Sequence, residues 1–82
     1  MKVLFFAQLR ERLNCDSAEL DIESPTLINT VREALIAQFP DHADLLKDGK
    51  ALVAINQELI NNEKATITAA DEVAFFPPVT GG

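Results

Sequence analysis

The sequence has one cysteine, one histidine, three glycines and no tryptophan or tyrosine. Each scarcity removes a class of function. A lone Cys15 permits no internal disulfide and no cysteine-ligated zinc or iron–sulfur site, so a disulfide-stapled secreted scaffold is excluded and a reducing cytoplasm is the expected compartment. Two of the three glycines stand at positions 81 and 82, leaving Gly49 alone in the body of the chain. No G-x-x-x-x-G-K-[ST] loop or other phosphate cradle can be built from that, and ATP hydrolysis by this chain alone is excluded. No stretch approaches the ~18 apolar residues of a membrane-crossing helix, and the apolar run within Met1 to Arg10 is too short for a signal segment. Seven basic residues against thirteen acidic give a formal net charge of −6. That balance repels phosphate backbones and anionic lipid and favours a basic partner, so neither nucleic acid nor membrane is an expected partner.

The remaining chemistry-bearing side chains are sparse. His42 has no second His or Cys at ligand spacing and reads as a surface-loop histidine. Cys15 lies between Asn14 and Asp16 without a histidine near it in sequence, and acidic neighbours disfavour a thiolate, so it reads as incidental. Glu19, Asp21 and Glu23 alternate as a solvated strand face does. No metal site and no bound cofactor is expected.

What the chain has is β-forming and apolar material for one small domain of 82 residues, 48% of them hydrophobic. Lys2 to Gln8 reads as a strand apolar on both faces, with Val3, Phe5 and Ala7 on one and Leu4 and Phe6 on the other. Leu9 to Leu13 carries an i,i+4 leucine pair suited to a short helical turn. Ala18 to Glu23 alternates cleanly, Ala18, Leu20 and Ile22 inward, and the first two strands read as a hairpin. Thr26 is placed to cap a long helix with Leu27, Val31, Leu35 and Phe39 on its apolar stripe, widened by Ile28 and Ala34 and ended by Pro40. Asp41 to Lys47 adds a turn. Asp48-Gly49 opens a third strand, Lys50 to Ile55, Asn56-Gln57-Glu58 turns back towards Leu59 and Ile60, and Thr66-Ile67 is a minor edge. The final strand is Val73 to Phe76. This ββαββ order predicts an α+β fold, a mixed sheet over one main helix. If the first and last strands are neighbours, Val3, Phe5, Val73 and Phe75 face the helix, while Leu4, Phe6, Ala74 and Phe76 form a second, exposed apolar face of the kind that marks a partner site.

The pattern that dominates the rest is the stretch Phe75-Phe76-Pro77-Pro78-Val79-Thr80-Gly81-Gly82. Each proline lacks an N–H and fixes φ, so neither continues a sheet ladder. The organisation expected is a domain over 1–76 and an extended tail over 77–82 that reaches roughly 20 Å at about 3.3 Å per residue. Gly81 and Gly82 have no Cβ, so a passage too narrow for side chains admits them and presents the terminal carboxylate to a reagent. An ionised carboxylate is a poor electrophile, and its activation has to come from another protein.

These residues, together with Lys2-Val3-Leu4-Phe5-Phe6-Ala7-Gln8 and the Asp48-Gly49-Lys50 to Ile55-Asn56-Gln57 segment, resemble the small subunit of molybdopterin synthase over nearly the whole chain. The resemblance implies a ubiquitin-like β-grasp fold and a sulfur carrier of molybdenum cofactor biosynthesis. An adenylating enzyme related to ubiquitin-activating enzymes would use ATP and Mg to form an acyl-adenylate on Gly82, beside Gly81. A persulfide sulfur would convert it to a thiocarboxylate, which donates sulfur to cyclic pyranopterin for the molybdopterin dithiolene. It further implies a heterotetramer with the large synthase subunit, contacted through Phe6, Leu59, Phe75, Phe76, Pro77, Pro78, Val79 and Thr80. Ala69-Ala70-Asp71 stands where that family often has a glycine turn. Rival readings that share a terminal diglycine are a sulfur carrier for thiamin synthesis and a ubiquitin-like modifier; a third is an interaction domain with an inert tail.

Overall fold

The structure, a computed structural model, describes residues 1–47 and 50–78. The elements run β1 (Lys2–Phe5), α1 (Ala7–Leu13), β2 (Ser17–Glu19), β3 (Thr26–Leu27), α2 (Ile28–Gln38), a 3₁₀ turn (Pro40–His42), α3 (Ala43–Leu46), β4 (Leu52–Ile55), β5 (Glu58–Ile60), β6 (Thr66–Ile67) and β7 (Val73–Phe76). Five strands form a mixed sheet in the order β2-β1-β7-β4-β5. The first and last strands are parallel neighbours at its centre, in register Val3↔Val73, Leu4↔Ala74 and Phe5↔Phe75, and every other pairing in this sheet is antiparallel. This is the β-grasp arrangement.

Period-2 geometry sends Val3, Phe5, Val53, Val73 and Phe75 to one face, where all are at most 1% exposed. Ile28, Val31 and Leu35 of α2 close over them together with Leu9 and Leu13 of α1, Leu46 and Ile67. Phe5 meets Phe39 edge to face, ring centroids 5.8 Å apart. The leucine pair of α1 belongs to this same core.

Several local expectations change. Helix α1 separates β1 from β2, so the two antiparallel strands are not joined as a simple hairpin. Strand β2 is shorter than Ala18 to Glu23, although Met1 and Leu20 extend the pairing by two bonds of 2.8 Å. Thr26 does not cap α2. It pairs with Ile67 in a small β3-β6 sheet, and the orphan N–H groups of Ile28 and Asn29 donate instead to the carbonyls of Ala65 and Glu63. The later helix start leaves Leu27 exposed and gives its expected place in the buried stripe to Ile28. His42 ends the 3₁₀ turn and is half-buried, and Cys15 packs partly against the core. Asp48-Gly49 lies outside the described residues.

The largest surprise is Arg32, 4% exposed in the helix face that reads as polar from its side chain. Its guanidinium donates to both oxygens of Glu63, at 2.7 and 3.0 Å, and to the carbonyls of Leu46 and Ala51, at 2.7 and 2.9 Å. It also lies 5.2 Å over the ring of Phe75. The buried charge is thus paired, hydrogen-bonded and stacked, the conditions under which burial is tolerated.

Candidate functional site

The sheet face opposite the helices is set by register. Leu59 pairs with Ala54, Ala54 with Ala74, and Ala74 with Leu4, a row of four apolar residues running from the β5 edge to β1. A second row starts at Leu52, which pairs with Phe76, and Phe6 continues it one residue past β1. The N–H of Phe6 donates to the Phe75 carbonyl at 3.1 Å, which carries the parallel ladder one step further. Ala7 then adopts φ 55, a turn out of the strand that starts α1 and leaves Phe6 at the sheet end. Among the described residues no helix covers this face: Phe6 is 45% and Leu59 50% exposed, and Leu4, Leu52, Ala54 and Phe76 are half-buried. Ala74 is buried, its short side chain flanked along the row by Leu4 and Ala54.

The structure therefore brings Phe6, Leu59 and Phe76 to one surface. It does not bring Phe75 there. Phe75 is 0% exposed and points into the core beneath Arg32, so its expected role in contacting a partner is corrected to a packing role. Period 2 makes this unavoidable, since adjacent strand residues face opposite ways. Leu4 takes the place on this surface that parity predicts, and Leu52 and Ala54 join it although the sequence reading did not assign them to it. For Leu52 and Ala54 the missing information was which strand β4 would pair with.

The apolar face ends where β7 does. Phe76 closes the ladder, Pro77 is half-buried and Pro78 exposed, with no strand beyond Phe76 among the described residues. Val79, Thr80, Gly81 and Gly82, expected to form the rest of the tail, lie outside the described residues. Among the described residues no group of three or more His, Cys, Asp or Glu side chains is placed to hold a metal ion, and no helix is long and apolar enough to cross a membrane.

Two hydrogen-bonded turns hold the far side of the face. Asn56 and Gln57, at φ 53 and 70, make the two-residue β4-β5 hairpin turn with left-handed backbone, a conformation Asn tolerates well. The Asn56 side chain donates to Asp71 at 3.1 Å and accepts from the Glu72 N–H at 2.9 Å, tying the hairpin to the lead-in of β7. Asp71 in turn accepts from the Thr68 N–H at 2.8 Å, while its own N–H donates to the Thr68 carbonyl at 3.0 Å. The Thr68 N–H, then the Asn56 amide, hold the Asp71 carboxyl below the usual aspartate range. This turn needs no glycine, because neither Ala69 nor Ala70 has positive φ.

The ThiS family model matches residues 3–82. The chain belongs to the ThiS family. Within that setting it is 48% identical to the molybdopterin synthase sulfur carrier subunit of Escherichia coli (strain K12), over 100% of this chain and 99% of that one. The resemblance read from the sequence is borne out at that level. Among solved structures, SAMP1 from Haloferax volcanii superposes with a TM-score of 0.78 at 25% identity, covering 99% of this chain and 97% of that one. A chain of the complex of subunits 1 and 2 of molybdopterin-converting factor from Helicobacter pylori shares the fold at a TM-score of 0.59 and 22% identity, covering 99% and 96%. The ThiS-family chain thus has the ubiquitin-like β-grasp fold expected of it.

Proposed function

We propose that the chain is the sulfur carrier subunit of a molybdopterin synthase and that Gly82 carries the sulfur. The observation that supports this most is the continuity of an uncovered apolar sheet face with the residues leading to Gly81-Gly82, in a chain nearly half identical to a subunit of that name. In this reading Phe6, Leu59 and Phe76 seat the carrier on the large subunit of the heterotetramer. Residues 77–82 then enter the partner's passage as an extended arm from the domain formed by residues 1–76. The chain binds no cofactor and has no complete active site of its own. An adenylating enzyme uses Mg-ATP to join the Gly82 carboxylate to AMP with loss of pyrophosphate. A persulfide sulfur displaces AMP, and a thiol reduces the acyl disulfide to the thiocarboxylate. Its sulfur then adds to a carbonyl-level carbon of the pterin side chain, whose oxygen leaves as water. Hydrolysis of the resulting thioester returns the carboxylate and leaves the sulfur on the pterin. Sulfur held in a pocket reacts with an orientational advantage that free sulfide lacks. The reaction belongs to the cytoplasm, where ATP and reducing thiols are available.

The test is incubation with the adenylating enzyme, Mg-ATP and a persulfide donor, followed by mass spectrometry of the C-terminal peptide. An oxygen-to-sulfur mass increase confined to that peptide and dependent on ATP is expected, and Cys15→Ser leaves it unchanged. An increase mapping to Cys15, or one formed without ATP, overturns the mechanism. The likeness to SAMP1 supports a second reading, a protein modifier using the same activated terminus. Isopeptide adducts to lysines of other proteins, formed in place of the thiocarboxylate, would favour it.

A further inference from the structure

Beside the point where β7 ends lies a cleft of about 110 Å³ between α1 and α3, lined by Gln8, Leu9, Arg12, Leu45, Lys50 and Pro77. Among the described residues its lining holds two cations and no carboxylate. Ion pairs among the described residues join Arg32 to Glu63 and Lys47 to Asp44; neither Arg12 nor Lys50 takes part in one. Asp44, which feels Lys50 weakly, is already bonded by Lys47 at 2.9 Å. The cleft at the other end of the sheet is different, since Lys2 sits there with Asp71 and Glu72. On a chain of net charge −6, the surface beside Pro77 is therefore a local reversal of sign.

We infer that Arg12 and Lys50 form a clasp for a carboxylate side chain of the protein that receives the tail. The inference rests on the function proposed above and adds to it a charged contact outside the apolar face. Continuity supports it. Gln8 is two residues from Phe6, and Pro77 follows Phe76, so the cleft begins where the apolar face ends. A partner that covers Phe6 and Phe76 and admits the residues beyond Pro78 lies over both cations. In the free chain their long stems keep the charges in water. Under a partner that hydration is lost, and an uncompensated charge there opposes docking unless an anion meets it. A guanidinium beside an ammonium suits a carboxylate, with the fork of Arg12 setting direction and Lys50 adding charge. The size of the cleft favours a side chain over a nucleotide, because small-molecule sites usually span ~300 Å³ or more.

The experiment titrates the large synthase subunit into the full-length wild type, Arg12→Gln/Lys50→Gln, Arg12→Glu/Lys50→Glu and Lys64→Gln at several salt concentrations. Thermal unfolding establishes that each variant is folded. Neutralising both cations is expected to weaken binding about 10-fold at low salt and to flatten its salt dependence; reversing both is expected to weaken it by roughly 100-fold or more. Lys64→Gln, which removes a cation elsewhere, should bind like wild type. A Glu→Lys or Asp→Lys change in the partner that restores the reversed variant identifies the bound carboxylate. Equal affinities across the set, or an equal loss in Lys64→Gln, overturn the clasp. Competition by AMP or inorganic phosphate that depends on Arg12 and Lys50 also overturns it, in favour of a phosphate site. If wild type binds and the double variants bind alike, the clasp alone fails. If wild type itself does not bind, the proposed function fails with it.

Discussion

Removing the ring of Phe75 and removing that of Phe76 should have separable consequences, because consecutive strand residues face opposite sides of the sheet. Phe76→Ala, like Phe6→Ala, is expected to weaken binding to the large subunit by at least ~1–2 kcal/mol with little loss of stability, read by calorimetric titration beside thermal unfolding. Phe75→Ala removes a ring that is 0% exposed and should cost about 3–5 kcal/mol of folding stability. If both variants lose stability equally, the exposed face is part of the core and not a docking surface. Arg32→Ala is the second test at this scale. It strands the Glu63 carboxylate and two carbonyls, so a loss of about 3–5 kcal/mol is expected in denaturant titration, with Arg32→Met losing less. A loss below ~1 kcal/mol in Arg32→Ala would mean that the burial of the charge is not integral to the fold. Parity alone made the division between Phe75 and Phe76 legible in the sequence. Arg32 was not legible: a charged residue within an apolar helix pattern reads as solvated, and its partners come from segments that no local pattern links to it.

At the level of elements, the fold depends on turns whose chemistry is partly hidden. The Asn56-Gln57 turn is readable from residue type, but the reach of the Asn56 amide to Asp71 and Glu72 depends on β4 pairing with β7. Asn56→Ala loses both side-chain bonds and puts Ala at positive φ, so a destabilisation of ~1–2 kcal/mol is expected by urea unfolding, with Asn56→Gly recovering only the backbone share. Equal stability of all three proteins would show that the lock contributes nothing. Asp71 adds a pH signature. Its folded-state pKa is depressed, so its contribution is present above the unfolded aspartate value of about 3.9 and is lost as pH falls through the lower folded value. The urea midpoint should therefore drop with pH below about 4, and Asp71→Asn should make that drop shallower; an unchanged slope counts against the Thr68 and Asn56 bonds. Strand β3 escaped sequence reading for a simple reason, whereas β6 coincides with the minor edge read at Thr66-Ile67. Strand β3 has two residues, too few to show a period, and the backbone carbonyls of Glu63 and Ala65 supply the bonds that Thr26 was expected to make.

For the molecule as a whole, the proposed chemistry depends on distance from the domain. Deleting Gly82, or adding one residue after it, moves the reacting group by about 3.5 Å and should abolish sulfur transfer in a reconstituted assay, since a misplacement of 1 Å can cost ~10²-fold. Circular dichroism should be unchanged, because the described core ends at Phe75. Full activity of the deletion variant would sink the terminal-carboxylate mechanism.

The central place of β7 also has a mechanical consequence. The strand runs parallel to β1 on one side and antiparallel to β4 on the other, so tension applied along it loads both ladders in shear. Shear requires the bonds of two ladders to yield together, whereas an edge strand such as β5 can be peeled away one bond at a time. A partner can therefore pull on the residues beyond Phe76 and transmit that force to the middle of the sheet, which is the part of the molecule best able to resist it.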